Sequence, residues 1–267
     1  MTRVAVFGLG EAGSAIAADL AATGCEVHGY DPAGVPTPAE VTRHDDPAGA
    51  AIGADLVLAV TAAADAPTAL DQALDAIPRD AVYADLATAS AGLKVRLAGT
   101  AAGAGLGFVD VALMAPVPGH GLRTPALASG PAAGRFAALL RPLGMPVQLA
   151  GDRAGTAATR KLLRSVVMKG LAGLLIESLR AAHAAGLASE TWANVVDTLA
   201  AADEDFVRRL VTGTGPHARR RLDEMEAAAD LLAELGVEPT MTRSTAATLR
   251  AVADGTTPLP GLPDSPA

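Results

Sequence analysis

The sequence predicts an α/β N-terminal domain built on a doubly wound, mostly parallel sheet, followed by an all-α C-terminal domain. Three observations predict it. Short apolar runs alternate with amphipathic stretches as far as Gly151, the pattern of strands and helices that wind on both faces of one sheet. The first run leads into a glycine-rich turn at residues 8–13. Beyond Gly151 the short runs stop and long helical stretches follow.

Residues 3–7 (Arg-Val-Ala-Val-Phe) read as a buried strand, residues 14–21 as a helix stopped by Gly24, and residues 26–30 as a second strand ending at Asp31. Between the first strand and the helix lies Gly8-Leu9-Gly10-Glu11-Ala12-Gly13. Gly8 permits a tight turn, Gly10 lets a pyrophosphate approach the backbone, and Gly13 lets helix and strand pack closely. The helix start offers unbonded N–H groups and the positive end of its dipole. Asp31, eighteen residues beyond Gly13, is placed to accept hydrogen bonds from a ribose and to repel a 2′-phosphate. The stretch is a Rossmann dinucleotide site, and Asp31 favours NAD over NADP. A basic residue such as Arg43 could reach the same pocket and accommodate NADP. The cofactor-binding candidates are Gly8, Leu9, Gly10, Glu11, Ala12, Gly13 and Asp31, with Thr61 and Thr88 further along.

Residues 32–47 are rich in Pro, Asp and Thr and read as loop; residues 47–53 read as a short helix. Strands follow at 55–60, 81–85 and 107–111, separated by helices at 64–77 and 90–102. The segment Ala115-Pro116-Val117-Pro118-Gly119-His120-Gly121 breaks the alternation. It is a loop after a strand, where open α/β sheets bind ligands. A strand at 126–129, a helix at 135–143 and a strand at 147–150 complete the first domain, residues 1–151. In the second domain, residues 152–254, a helix from Thr156 to about Ala185 is apolar nearly all round, so it should be buried. Gly186 caps it, and Ser189 N-caps the next helix. Further helices are expected at 203–210, 217–235 and 242–253. Residues 255–267 hold four prolines and are expected to be disordered.

Composition excludes several classes. The formal net charge is −8 with no basic run, which argues against nucleic acid. The single cysteine, Cys25, permits no internal disulfide and reads as a small buried hydrophobe. No apolar run reaches a membrane span, and the glycine turn starts too early to leave room for a signal peptide. No Cys/His cluster has metal-ligand spacing. A cytoplasmic protein without membrane or nucleic-acid partners is expected.

The glycine turn and the helix opening Gly155-Thr-Ala-Ala-Thr-Arg-Lys161 resemble the β-hydroxyacid dehydrogenase and 6-phosphogluconate dehydrogenase superfamily. Asp85-Leu-Ala-Thr88 resembles its Asp-x-Ser-Thr segment, and Met114-Ala-Pro-Val-Pro-Gly119 its substrate loop Asp-Ala-Pro-Val-Ser-Gly. The stretches 161–170 and 217–225 look like a less characterised subgroup with a 6-phosphogluconate-dehydrogenase-like helical domain. Three departures stand out. The loop serine is Pro118, the asparagine four residues past the catalytic lysine is Ser165, and the later Lys-Asp pair falls near Asp223 and Glu224.

The resemblance implies Lys161 as the acid–base group of a dehydrogenase. Oxidising a secondary alcohol needs a base for the hydroxyl proton and a donor for the oxygen. A desolvated lysine can serve as that base near neutrality. Ser165 lies one helical turn on and could hold the substrate oxygen. Pro116, Val117, Pro118, His120 and Arg220 are candidate substrate contacts. His217, Arg220 and Glu224 share one helix face. Lys169 is either a second site residue or a buried partner of Glu177. The expected function is NAD(P)-dependent hydride transfer to or from a small, anionic hydroxy or keto compound. A homodimer is expected, because the apolar helix needs a partner surface. The alternatives are an imine reductase on the same fold and a non-catalytic, cofactor-binding interaction protein.

Overall fold

The computed structural model describes residues 1–263. Its described residues fall into two compact units, the first ending at Arg164 and the second beginning at Ser165.

The first unit is an eight-stranded sheet in the order β3-β2-β1-β4-β5-β6-β7-β8. Its strands are β1 (Arg3–Phe7), β2 (Glu26–Tyr30), β3 (Val41–Arg43), β4 (Leu56–Ala59), β5 (Val82–Asp85), β6 (Gly107–Leu113), β7 (Ala126–Ser129) and β8 (Val147–Leu149). The first six run parallel, and β7 turns antiparallel to β6. Val4, Val6, Leu56, Leu58 and Val109 face one layer of core, and Ala5, Phe7, Val57, Tyr83 and Phe108 face the other. Strands buried on both faces explain the continuous apolar runs in the sequence. Helices α1 (Glu11–Ala22), α2 (Pro47–Ala51), α3 (Ala66–Ala73), α4 (Ala91–Gly103) and α5 (Ala133–Leu140) join them.

Two first-unit expectations are corrected. Helix α1 starts at Glu11, not Ser14, because Gly10 is already its extended N-cap and the Ser14 amide bonds the Gly10 carbonyl at 2.9 Å. The segment 32–47 contains the edge strand β3, which pairs Val27 with Val41. Three residues among prolines give no readable alternation.

The long helix α6 (Thr156–Ala184) begins in the first unit and continues into the second. The unit boundary therefore falls at Arg164, not near Gly151. The first turn of α6 is bound to the sheet by Asp110 and Ser129, so a break in composition preceded the break in contacts. The second unit adds α7 (Ala188–Ala200), α8 (Glu204–Thr212), α9 (Thr214–Glu234) and α10 (Thr240–Ala253). Leu222 packs with Ala246 and Leu249, and Ala181 with Leu232 and Val237.

Gly186 ends α6 as expected, at φ +76°. Its amide bonds His183, and the Leu187 amide bonds Ala182, a Schellman turn. That turn is so short that Leu187 is the N-cap of α7 and Ser189 lies inside the helix. Nor is α6 buried: from Lys161 to Ile176 no residue is buried. Residues 255–263 carry no regular structure, yet they are anchored, with Arg208 donating to the Pro263 carbonyl at 3.1 Å. The expected disordered tail is corrected to that extent; residues 264–267 lie outside the described residues.

Candidate functional site

The chain leaves β1 toward β2 on one side and returns to β4 on the other. A crevice opens at such a switch point, beyond the carboxyl ends of the strands. Gly8 follows β1 there and Thr61 follows β4. The cavity measures about 380 Å3 and is lined by Gly8, Gly10, Tyr30, Asp31, Thr61 and Asp65 among others.

Each glycine of the turn has its own constraint. Gly8 sits at φ +88°, and a Cβ there would come within 2.5 Å of the Val60 carbonyl oxygen. A Cβ on Gly13 would lie 1.8 Å from the Gly8 oxygen, whereas one on Gly10 would meet nothing within 4 Å. The open space lies at Gly10, beside the first amides of α1, which have no carbonyl within the helix to bond. Glu11, Ala12 and Gly13 supply those amides. Leu9 is placed otherwise: its side chain is in the core, and its amide donates to Asp31 Oδ2 at 2.7 Å. It holds Asp31 rather than lining the space.

Asp31 Oδ1 accepts from Ala33 N at 2.8 Å, so both oxygens are oriented by amides. Arg43, from the unexpected strand β3, donates to the carbonyls of Asp31 and Ala33 at 2.8 Å, to that of Val35 at 2.9 Å, and to Thr37 Oγ1 at 2.9 Å. Those four bonds use both terminal nitrogens of the guanidinium. Arg43 braces the loop after Asp31 instead of reaching the pocket. Thr61 Oγ1 is buried and has no hydrogen-bond partner. An open cradle at Gly10, an unbonded hydroxyl on the wall and an oriented carboxylate fit a dinucleotide.

Thr88 lies past the end of β5 and is exposed. Lys161 Nζ, on α6, donates to Thr88 Oγ1 at 2.9 Å. The structure thus joins two residues far apart in sequence within the first unit. The substrate loop divides. Val117 and Leu122 turn into the core with Ile16 and Leu20, and the Leu122 amide bonds Asp19 Oδ2 of α1 at 2.8 Å. Val117 therefore offers no side chain to a ligand. Pro116, Pro118 and His120 are exposed.

In the second unit, Ser165 Oγ accepts from Lys169 Nζ at 3.4 Å. Arg220 is an exposed residue paired with Glu224 at 2.5 Å. Lys169 is exposed and is not the partner of Glu177, which accepts from the Met241 and Thr242 amides at 2.8 Å. A larger open groove of about 790 Å3 lies at the β7–β8 edge, beside Met114, Met145 and Arg160. It touches none of the glycine turn, so the smaller crevice is the cofactor candidate. The sequence reading missed Lys94, Asp110 and Ser129, all fully buried in the first unit. An acid inside the apolar run Phe108-Val109-Asp110-Val111 was the available signal, since a buried charge requires a partner.

Fold and crevice together define a dinucleotide-binding protein of dehydrogenase-like architecture. Residues 3–121 match the NAD binding domain of 6-phosphogluconate dehydrogenase, and residues 182–252 match a domain of unknown function, DUF1932. The chain thus carries an NAD binding domain of the 6-phosphogluconate dehydrogenase kind, followed by a DUF1932 domain. A conserved hypothetical protein from Sinorhizobium meliloti 1021 is 31% identical, with 95% of this chain and 89% of that chain covered and a TM-score of 0.62. An imine reductase variant from Myxococcus stipitatus, solved with NAD+, has a TM-score of 0.77 over 96% of this chain and 94% of its own, at 15% identity. An uncharacterized 28.5 kDa protein of Methanothermus fervidus is 30% identical over 107 residues, 40% of this chain. The match spans 43% of that curated relative's length. No helix among the described residues is long and apolar enough to cross a membrane.

Proposed function

We propose that the protein is an NAD-dependent oxidoreductase that interconverts a small, anionic hydroxy compound and its keto form, with Lys161 as the acid–base group. The observation that carries this reading is the Lys161–Thr88 contact at 2.9 Å, past the carboxyl end of β5 in the sheet that bears the glycine turn. Bound NAD would supply the hydride acceptor. Gly10, the first amides of α1, Asp31 and Thr61 would hold it. Lys161 in its neutral form takes the hydroxyl proton on oxidation, and as the ammonium returns it on reduction. Thr88 orients the amine through its hydroxyl. The preference for NAD is supported by Asp31, by the engagement of Arg43 with loop carbonyls, and by a cavity lining that includes no Lys or Arg. His120 and Arg123, exposed on the loop after Pro118, are the candidate contacts for a substrate anion.

Imine reduction is the second reading. The full-length likeness to an imine reductase favours it, as do Pro118 and Ser165 in place of the family's hydroxyl and amide. Retention of Lys161 favours alcohol chemistry. Assays of NADH formation with hydroxy acids, and of NADH consumption with cyclic imines, separate the two. Lys161→Met is expected to reduce turnover by two orders of magnitude or more, about what removal of a general acid–base group costs, while NADH still binds. Turnover at the wild-type level in that variant removes Lys161 from the chemistry.

We also propose a homodimer, formed through the uncovered apolar surfaces of α6, α7 and α8.

A further inference from the structure

One group of buried charges has no part in the chemistry above. Lys94 in α4, Asp85 at the end of β5, Asp110 in β6 and Ser129 at the end of β7 are all fully buried. Lys94 Nζ donates to the Asp85 carbonyl at 2.8 Å. It stands 3.2 Å from Asp85 Oδ2 and 3.4 Å from Asp110 Oδ1. Such a cluster is a costly way to hold a core, because apolar residues of like volume commonly do as well or better. Its other bonds show what it grips.

On one side, Asp85 Oδ1 accepts from the Ala87 amide at 2.9 Å. That bond fixes the turn delivering Thr88. On the other side, Asp110 Oδ2 accepts from Gly155 N and Ala158 N, each at 3.0 Å. Ser129 Oγ accepts from Ala157 N at 2.9 Å and bonds Asp110 at 3.1 Å. These amides open α6, where intrahelical acceptors are lacking. Lys161 follows Ala158 by three residues, less than one turn. Asp110 thus lies at the positive end of the α6 dipole. Burial holds the Asp85 carboxyl above its usual range and outweighs the opposing pull of the Lys94 charge, so the cluster's charges depend on one another.

We propose that Lys94, Asp85, Asp110 and Ser129 are a positioning group that sets the Thr88–Lys161 pair, gripping the loop that carries Thr88 and the helix that carries Lys161. The proposal rests on the reading of Lys161 as the acid–base group. These four do not touch the reacting atoms; they act through Lys161 and Thr88.

The chain has three lysines, Lys94, Lys161 and Lys169, so specific 13Cε-lysine labelling gives each its own NMR signal. The experiment compares the wild-type protein with Asp110→Asn and Ser129→Ala. It measures the pH titration of the Lys161 signal, kcat and KM on the substrate found above, and NADH affinity by fluorescence. The expected result is a displaced Lys161 titration in both variants. A fall in kcat of about 10–100-fold for Asp110→Asn, the size seen when a residue that orients a metal ligand is removed, should accompany NADH affinity within about twofold of wild type. Ser129→Ala removes one hydroxyl and is expected to fold even where Asp110→Asn does not. An unmoved Lys161 titration in the folded variants overturns the proposal. A wild-type protein with no alcohol turnover overturns the acid–base reading instead, and the lysine signals still decide whether the group positions Lys161.

Discussion

Gly10 and Gly13 stand three residues apart, and a single methyl separates their roles. At Gly13 it would collide with the Gly8 carbonyl oxygen at 1.8 Å, and at Gly10 it would enter empty space. Gly13→Ala is therefore expected to lower stability by about 1–3 kcal/mol, the range for overpacking. Gly10→Ala, whose φ of −63° is ordinary, should leave the melting temperature nearly unchanged and weaken NADH binding by filling the space beside the α1 amides. Melting curves and fluorescence titration of both variants check this; equal losses of stability would show that the cradle at Gly10 is not open. Asp31→Asn tests selectivity at the same site. It removes the charge that opposes a 2′-phosphate while keeping one oxygen for an amide. The ratio of NADPH to NADH affinity should rise about tenfold, a small part of the Coulomb energy of two nearby charges. An unchanged ratio assigns selectivity elsewhere. At this scale the sequence was informative where spacing mirrors contact, as in the glycine turn and Asp31. It offered Arg43 as a pocket residue but could not place its four acceptors, which lie in a loop without periodicity, and it was silent on Lys94, whose partners Asp85 and Asp110 come from two separate strands.

At the scale of elements, α10 shows how a helix end can depend on a distant residue. Its N-cap is Pro239 and makes no side-chain cap bond. Glu177, on α6, supplies one: it accepts from the Met241 and Thr242 amides at 2.8 Å and from the Thr242 hydroxyl at 2.6 Å. Burial pushes the Glu177 carboxyl up, but the Thr242 hydroxyl and the helix amides outweigh it and hold the group below the usual glutamate range. A carboxylate depressed in the folded state binds protons more readily once unfolded. Its stabilisation is complete above the unfolded value near 4.5 and is lost as pH falls through the lower folded value. Glu177→Gln should cost about 1–3 kcal/mol at neutral pH, as for bonds to a charged group, and should flatten the acid limb of the stability curve. Urea titrations between neutrality and pH 3 read both; parallel curves for the two proteins would mean that Glu177 carries no linkage. The sequence suggested a buried Glu177 but offered Lys169 as partner, since spacing along one helix is readable and the approach of α10 is not. The same limit hid β3 and displaced the start of α7, because a Schellman turn is written in backbone bonds.

For the whole molecule, the decisive fact is that the middle of α6, rich in Leu, Val and Ile, is uncovered. No residue from Lys161 to Ile176 is buried, and none is in α7 or α8. Val166 is 72% exposed, Val167 67% and Trp192 59%. Monomers seldom present such surface, which marks an interaction face. The sequence supplied the composition of α6 and the need for a cover; it could not say whether this chain or another provides it. Among the described residues of the second unit, none provides it. Among possible covers, a second copy meets the demand without an added partner, because each copy brings the same surplus and a two-fold interface is self-complementary. Sedimentation equilibrium at micromolar concentration should therefore give twice the 26.6 kDa chain mass. The double substitution Val166→Glu, Val167→Glu places two carboxylates on the uncovered face, where burial would desolvate them. It should shift the protein toward monomer and lower its melting temperature, since a dimer's stability includes its association. The change costs little in contacts within one chain, where both valines are mostly exposed, so a lower melting temperature in a dissociated variant chiefly measures what the partner contributes. A wild-type monomer, or a variant that stays dimeric, would place the interface elsewhere and leave the α6 surface for a different molecule.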